Sequence, residues 1–309
     1  MRWIQYAVIA SILGGVAASC VQAQRPQPLP ASSLAVRDGD VWLTIWKSDR
    51  APVVWRDSNL VRHIAWRRGL AGMQWGDVAI AGSGEAWRTR VIVVRFRPDS
   101  VMLRLDTAFA KNAPDWSLAH LPSNALFAVN AGQFAATMPW GWTVLDGRQW
   151  LAPQRGPLAA VLAQDASGVL HWIRDADVAS FAATRPKLRW AFQSYPVLLQ
   201  SDTVPPALRA PGRGLDVSHR DARAAICLDR GGRVVVALTR FDAMGAPAGF
   251  IPFGLTTPEM AAVMGALGCR DAMLLDGGIS AQLRVRDRHG IHDWRGVRKV
   301  PLALVALPR

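Results

Sequence analysis

Between residues 41 and 307 the chain is cut into apolar runs of four to six residues, each closed by turn residues. The runs fall at 41–46, 91–96, 101–105, 126–129, 158–162, 197–200, 224–228, 234–238, 272–275 and 302–307. Runs of this length suit buried strands and are too short for helices. Pro98-Asp99, Asp146-Gly147, Ser167-Gly168 and Gly231-Gly232 separate them, and 97–100 and 229–232 read as hairpin tips. One helix stands out. Thr256 is a cap, Pro258 sits in the first turn and Glu259 completes a capping box. Met260, Val263, Met264 and Leu267 then recur on one apolar face, and Gly268 stops the helix. A second helix is read at 175–183. Strand 234–238, helix 257–267 and strand 272–275 form a candidate right-handed crossover. The expected fold is mixed α/β and β-rich, one domain over 36–309 with mixed sheets and few helices.

Composition narrows the class. Half of the 309 residues are hydrophobic and 19% are charged, which excludes a disordered chain. Net charge is +13, and only Lys47, Lys111, Lys187 and Lys299 among the 36 basic residues are lysine. The arginine excess fits either coding bias or an anionic partner such as a phosphate, an anionic glycan or a membrane headgroup. The arginines are scattered rather than gathered on one helix or tail, so no nucleic-acid partner is expected.

The N-terminus has Arg2, an apolar stretch at 7–18 and the small-x-small pattern Val21-Gln22-Ala23. This reads as a cleaved signal peptide over 1–23, followed by a Pro-rich linker over 24–35. The expected location is periplasmic or secreted. Cys20 follows Ala17-Ala18-Ser19 but lacks the leucine usual in a lipoprotein box. Cleavage is therefore preferred to lipidation; a retained or lipidated N-terminus would instead hold the domain at a membrane. Cys227 and Cys269 remain, both in apolar contexts, and are read as two buried free thiols, with pairing as the alternative in an exported chain.

Four segments carry chemistry. At 127–134 an apolar strand runs into Asn130-Ala131-Gly132-Gln133-Phe134, where small residues admit a ligand and Asn130 both donates and accepts. At 272–280 a strand ends in Asp276-Gly277-Gly278-Ile279-Ser280, a carboxylate with room beside it. At 219–228 a charged loop with His219, Asp221 and Arg223 leads into a strand, placing a guanidinium where it can grip phosphate. At 191–199 stands Tyr195, followed by Pro196. Taken alone, the 127–134 and 219–228 segments are better explained as a turn and a surface loop, the 272–280 segment equally well as a turn, and Tyr195 either contacts a ligand or only packs.

In this order the segments resemble the phosphodiester glycosidase domain family. Its pattern is Asn-(Gly/Ala)-Gly-x-Phe, an Arg entering a strand, a Thr-x-x-Glu helix, Leu-Asp-Gly-Gly-x-Ser, and an Arg before the last strand. Here these are Asn130 to Phe134, Arg223, Thr256 to Gly268, Leu275 to Ser280, and Arg298. Gln133 and Ile279 depart from the pattern, the latter replacing a frequent Gly.

The resemblance implies hydrolysis of the bond between an anomeric carbon and a phosphodiester, in a sugar-phosphate conjugate or an anionic glycan. Asp276, Arg223 and Asn130 are then the catalytic candidates. Gly132, Gln133, Phe134, Trp140, Tyr195, His219, Gly277, Gly278 and Ser280 are candidates for binding substrate. With only Glu85 and Glu259 present, a second carboxylate would come from Asp216 or Asp221. No cofactor is certain; oxygen ligands would suit calcium, and His289 and His292 read as a solvated hairpin tip rather than a zinc site. Trp140 and Trp142 are candidates to stack on sugar, whereas Trp42, Trp46 and Trp190 read as core. The alternative function is a non-catalytic glycan- or envelope-binding protein on the same fold. A serine hydrolase using Ser280, His219 and Asp276 ranks last, because there is no G-x-S-x-G elbow.

Overall fold

A strand buried at every position is covered on both faces. Val234–Phe241 is buried throughout. The computed structural model, which describes residues 31–108, 116–156, 158–184, 187–210, 215–243 and 251–309, shows the cover. The strand lies within a nine-stranded sheet. Across it run Val197–Leu199, Cys269–Leu275, Ala224–Asp229, Val234–Phe241, Thr89–Phe96, Gln74–Gly82, Ser33–Asp38 and Val41–Lys47, with Arg67–Arg68 on Gln74–Gly82. Side chains alternate between faces. Val91, Val93, Ala225, Val235 and Ala237 pack under helix α2 (the second helix, Thr257–Ala266). Ile92, Val94, Ile226, Val234, Val236 and Leu238 pack on two five-stranded sheets. One contributes Phe127, Val129, Leu302 and Leu304; the other contributes Leu145, Leu162, Trp190 and Phe192.

The β-rich, single-domain α/β reading holds. The expected mixed sheets are not found, because every ladder among the described residues is antiparallel. The strand–helix–strand unit is a crossover in which Ala224–Asp229 fills the slot between its two strands. Helix α1 spans Asp175–Ala183 as expected.

Helix α2 has its capping box, with Glu259 N–H donating to Thr256 Oγ1 at 3.3 Å and Thr256 N–H donating to Glu259 Oε2 at 2.9 Å. It is buried on all sides rather than along one apolar face. Its alanines and Gly265 let neighbours approach: a Cβ on Gly265 would come within 2.3 Å of the Trp55 indole.

Other expectations change. Residues 97–100 are not a hairpin tip: the short 3-10 turn Pro98–Ser100 carries the chain from the large sheet to a strand of another, Met102–Thr107. Residues 229–232 do turn a hairpin, held by Asp229 Oδ1 accepting from Gly231 and Arg233 N–H. Trp46 and Trp190 are core, but Trp42 is 46% exposed, in the uncovered first half of the edge strand whose second half buries Trp46. The linker ends sooner than residue 35, since Ser33–Asp38 is already paired in the sheet. The signal-peptide segment lies outside the described residues. No helix among them is long and apolar enough to cross a membrane.

Cys227 and Cys269 form a disulfide and are not free thiols. Antiparallel pairing of Ala224–Asp229 with Cys269–Leu275 sets their Cα atoms 5.8 Å apart, within bonding reach. The bridge spans 42 residues. Replacing both cysteines with serine is expected to lower unfolding free energy by about 2–4 kcal/mol. A urea midpoint unchanged from the parent would contradict this.

Candidate active site

Strand register assembles the site. Ala224 pairs with Leu275, so Arg223, just before one strand, lies beside Asp276, just after its neighbour. On the other flank of Cys269–Leu275, Val197 pairs with Met273, which brings Tyr195 to the same end. The 130–132 turn is laced to Asp276 from both directions. Asp276 N–H donates to Gly132 O at 2.9 Å, and Asn130 Nδ2 donates to Asp276 O at 2.6 Å. The four segments therefore meet at one end of the large sheet.

They enclose a cleft of about 290 Å³ whose lining includes Gln133, Tyr195, Asp216, Asp221, Arg223 and Asp276. The glycines after Asp276 are required by close approach. A Cβ on Gly277 would lie 2.6 Å from Ala222 O; one on Gly278, at φ +58°, would lie 2.8 Å from Asp221 Oδ2. Gln133 donates to Tyr195 O at 3.1 Å, and Tyr195 meets the Trp140 ring edge-on at 4.7 Å. Trp142 is buried in a separate cluster and does not reach the cleft.

Asn130 acts at one remove. It is buried, and its Oδ1 accepts from Gln282 N–H at 2.9 Å while its Nδ2 holds Asp276 O. It fixes the backbone of Asp276 rather than facing substrate. Phe134 lies under the Arg298 guanidinium at 4.8 Å, which places that cation near Asp276. Arg223 donates from Nε to Leu255 O at 2.9 Å and from Nη2 to His219 O at 2.6 Å; its backbone N–H donates to Thr239 Oγ1 at 2.7 Å. Thr239 went unnoticed in the sequence; its signal was a lone hydroxyl in the apolar run 234–238 and its continuation.

The three cleft carboxyls differ. Burial pushes Asp276 up to about 6, against the Ser280 hydroxyl and Arg298, with the Asp221 charge adding to the rise. Its Oδ2 is buried without a hydrogen-bond partner among the described residues. Burial also raises Asp221, opposed chiefly by Arg223. Asp216 is held below the usual range by the Ser218 hydroxyl and by the N–H groups of Ser218 and His219. Two carboxyls are thus poised for proton transfer, and the third stays ionised and tied into its own turn. Ser280 is buried beside Asp276, while His219 Nε2 lies 3.7 Å from Asp221 Oδ2, so these residues do not build a serine–histidine pair. Among the described residues no three His, Cys, Asp or Glu side chains group to hold a metal ion. His292 contacts Asp287 Oδ2 at 3.0 Å and packs on Trp75.

Known proteins share this fold. The zebrafish N-acetylglucosamine-1-phosphodiester α-N-acetylglucosaminidase catalytic domain, auto-inhibited by its pro-peptide, superposes with a TM-score of 0.54 at 15% identity, over 90% of this chain and 89% of that one. A hypothetical protein from Synechocystis gives 0.55 at 15% identity, over 91% of this chain and 69% of that one. No curated protein matches by sequence. These structures share the fold; the family comes from the sequence itself, where the profile of the phosphodiester glycosidases (NAGPA) matches residues 123–307, more than half of the chain and all four segments. The chain belongs to the phosphodiester glycosidase family.

Proposed function

We propose that this protein is an exported hydrolase that cleaves the bond from a sugar's anomeric carbon to a phosphodiester in an envelope or extracellular glycan. The observation that carries this is the convergence of Asp276, Asp221 and Arg223 on one cleft. Water adds to the anomeric carbon, the bond to the phosphate oxygen breaks, and a free sugar and a phosphomonoester leave. Asp276 serves as base or nucleophile. Asp221, which lines the same cleft, is the better second carboxylate because Asp216 is bound into its turn, and its role is to pass a proton to the departing phosphate. Arg223 and Arg298 neutralise the phosphate charge. Tyr195 and Gln133, with Trp140 behind, shape the sugar side. The N-terminal pattern and the disulfide both favour export to an oxidising compartment.

The test is release of free sugar from a panel of sugar-1-phosphodiesters, with and without a calcium chelator. Binding of anionic glycan without hydrolysis of any member would leave the non-catalytic reading in place. Where hydrolysis occurs, kcat/KM should rise with pH through about 6, because Asp276 is protonated below that value and ionised above it. Asp221 couples to it, so the profile reports the pair. A flat profile between about pH 5 and pH 7 removes Asp276 from the base or nucleophile role.

A further inference from the structure

Beside the cleft lies a second hollow of about 590 Å³, and Asp221 lines both. Its walls differ in kind from those of the cleft. Its lining joins the apolar Pro252, Phe253 and Ile279 to the polar Glu85, His219 and Arg220. Phe253 and Ile279 are 43% and 45% exposed, and both face this one hollow. Both stand on fixed supports. The Phe253 ring abuts Phe241 edge-on at 5.4 Å, and Ile279 O accepts N–H from Val297 at 2.8 Å and from Arg298 at 2.9 Å.

Charge limits what the hollow takes. Arg220 is already matched by Glu259, with Nη1 to Oε2 at 2.7 Å and Nη2 to Oε1 at 2.8 Å. Glu85 adds a second carboxylate 3.9 Å from Arg220 Nε. Among the described residues lining the hollow, Arg220 is the one arginine and it faces two carboxylates, so the local balance of these residues is negative. A group beyond the single phosphate is therefore neutral, and the wall it meets is apolar.

We propose that this hollow is the subsite for the alcohol on the far side of the phosphate, and that Phe253 and Ile279 select an apolar alcohol, alkyl or prenyl, over a polyol or a sugar. The proposal rests on the hydrolase reading of the cleft. Sugar goes on the Tyr195 side, phosphate by Arg223 and Arg298, and the alcohol past Asp221 onto Phe253 and Ile279.

The experiment compares diesters of one sugar-1-phosphate with glycerol, hexanol or the 6-hydroxyl of a hexose. The hexyl diester should exceed the glyceryl diester in kcat/KM by about 10-fold or more. Phe253→Ala and Ile279→Ser should each bring that ratio toward one. Equal turnover of the diesters, preference for the hexose, or a hexyl preference surviving both substitutions overturns the subsite. If no diester turns over, the hydrolase reading fails on its own, and calorimetry still decides this one. Hexyl phosphate should bind at least about 10-fold more tightly than glyceryl phosphate, with the difference lost in both variants; equal affinities overturn it.

Discussion

Asp276→Asn is expected to lower kcat/KM on a hydrolysed sugar-1-phosphodiester by about 10³-fold or more, and at the same time to make the protein more stable above neutral pH. The first effect follows from removing the group that activates water or attacks the sugar, a role worth about 10²–10⁴-fold for acid–base chemistry alone. The second follows from the site's own geometry. Asp276 is pushed up to about 6 from an ordinary 3.8, mainly by burial. A carboxyl whose folded value is raised binds its proton more tightly in the folded chain. Its ionisation therefore opposes folding, beginning as pH rises above the unfolded value and reaching full size above about 6. Asparagine carries no such penalty. The variant should gain about 1–3 kcal/mol at pH 8, and the gain should vanish below about pH 4. Denaturant unfolding at the two pH values, beside steady-state kinetics, checks both halves. Near-parent activity would sink the catalytic assignment; lost activity with lower stability at pH 8 would mean that Asp276 is a structural carboxylate instead.

The sequence made the site legible because its parts are local. Asn130, Arg223 and Asp276 each flank a short apolar strand, and antiparallel register then does the assembly, with Ala224 opposite Leu275. What stayed hidden depends on partners distant in the chain. Asn130 looks like a ligand group until Gln282 and Asp276 are seen to occupy its amide. The disulfide needed strand order as well as cysteine count. Gln74–Gly82, Leu188–Ser194, Leu283–Asp287 and Gly290–Trp294 escaped notice as strands because polar side chains interrupt them. In Leu283–Asp287 the arginines alternate with buried Leu283 and Val285, the half-buried pattern of period two. Asp216 and Asp221 could not be ranked from sequence, since what separates them is burial in one case and an Asp216–Ser218–His219 turn in the other.

Glu259 carries more than the capping role its position suggests, and Glu259→Ala should show it as the largest stability loss in this region. The side chain is fully buried. Besides Thr256 N–H, its oxygens accept both Arg220 Nη groups and the Ser32 hydroxyl. It thereby ties the first described residues, the start of α2 and the 215–221 segment to one another. Removing it leaves the Arg220 guanidinium, whose side chain is only 15% exposed, without its main counterion. Breaking a buried pair from one side costs about 3–5 kcal/mol, and a fall in Tm of roughly 10 °C should follow. Glu259→Gln keeps the volume and part of the cap, so it should fall between variant and parent. Adding Arg220→Ala to Glu259→Ala should recover part of the loss, because the stranded charge is gone, and that recovery separates a broken ion pair from simple cavity formation. Activity should drop in Glu259→Ala even well below its Tm, since Arg220 is joined directly to Asp221 and the cleft loses the fixed position of its second carboxylate. A Glu259→Ala protein that melts within about 2 °C of the parent would show that water solvates Arg220 in place of Glu259, and that the backbone pairing with Leu255 and the Ala222 N–H hold Asp221 without help from Arg220.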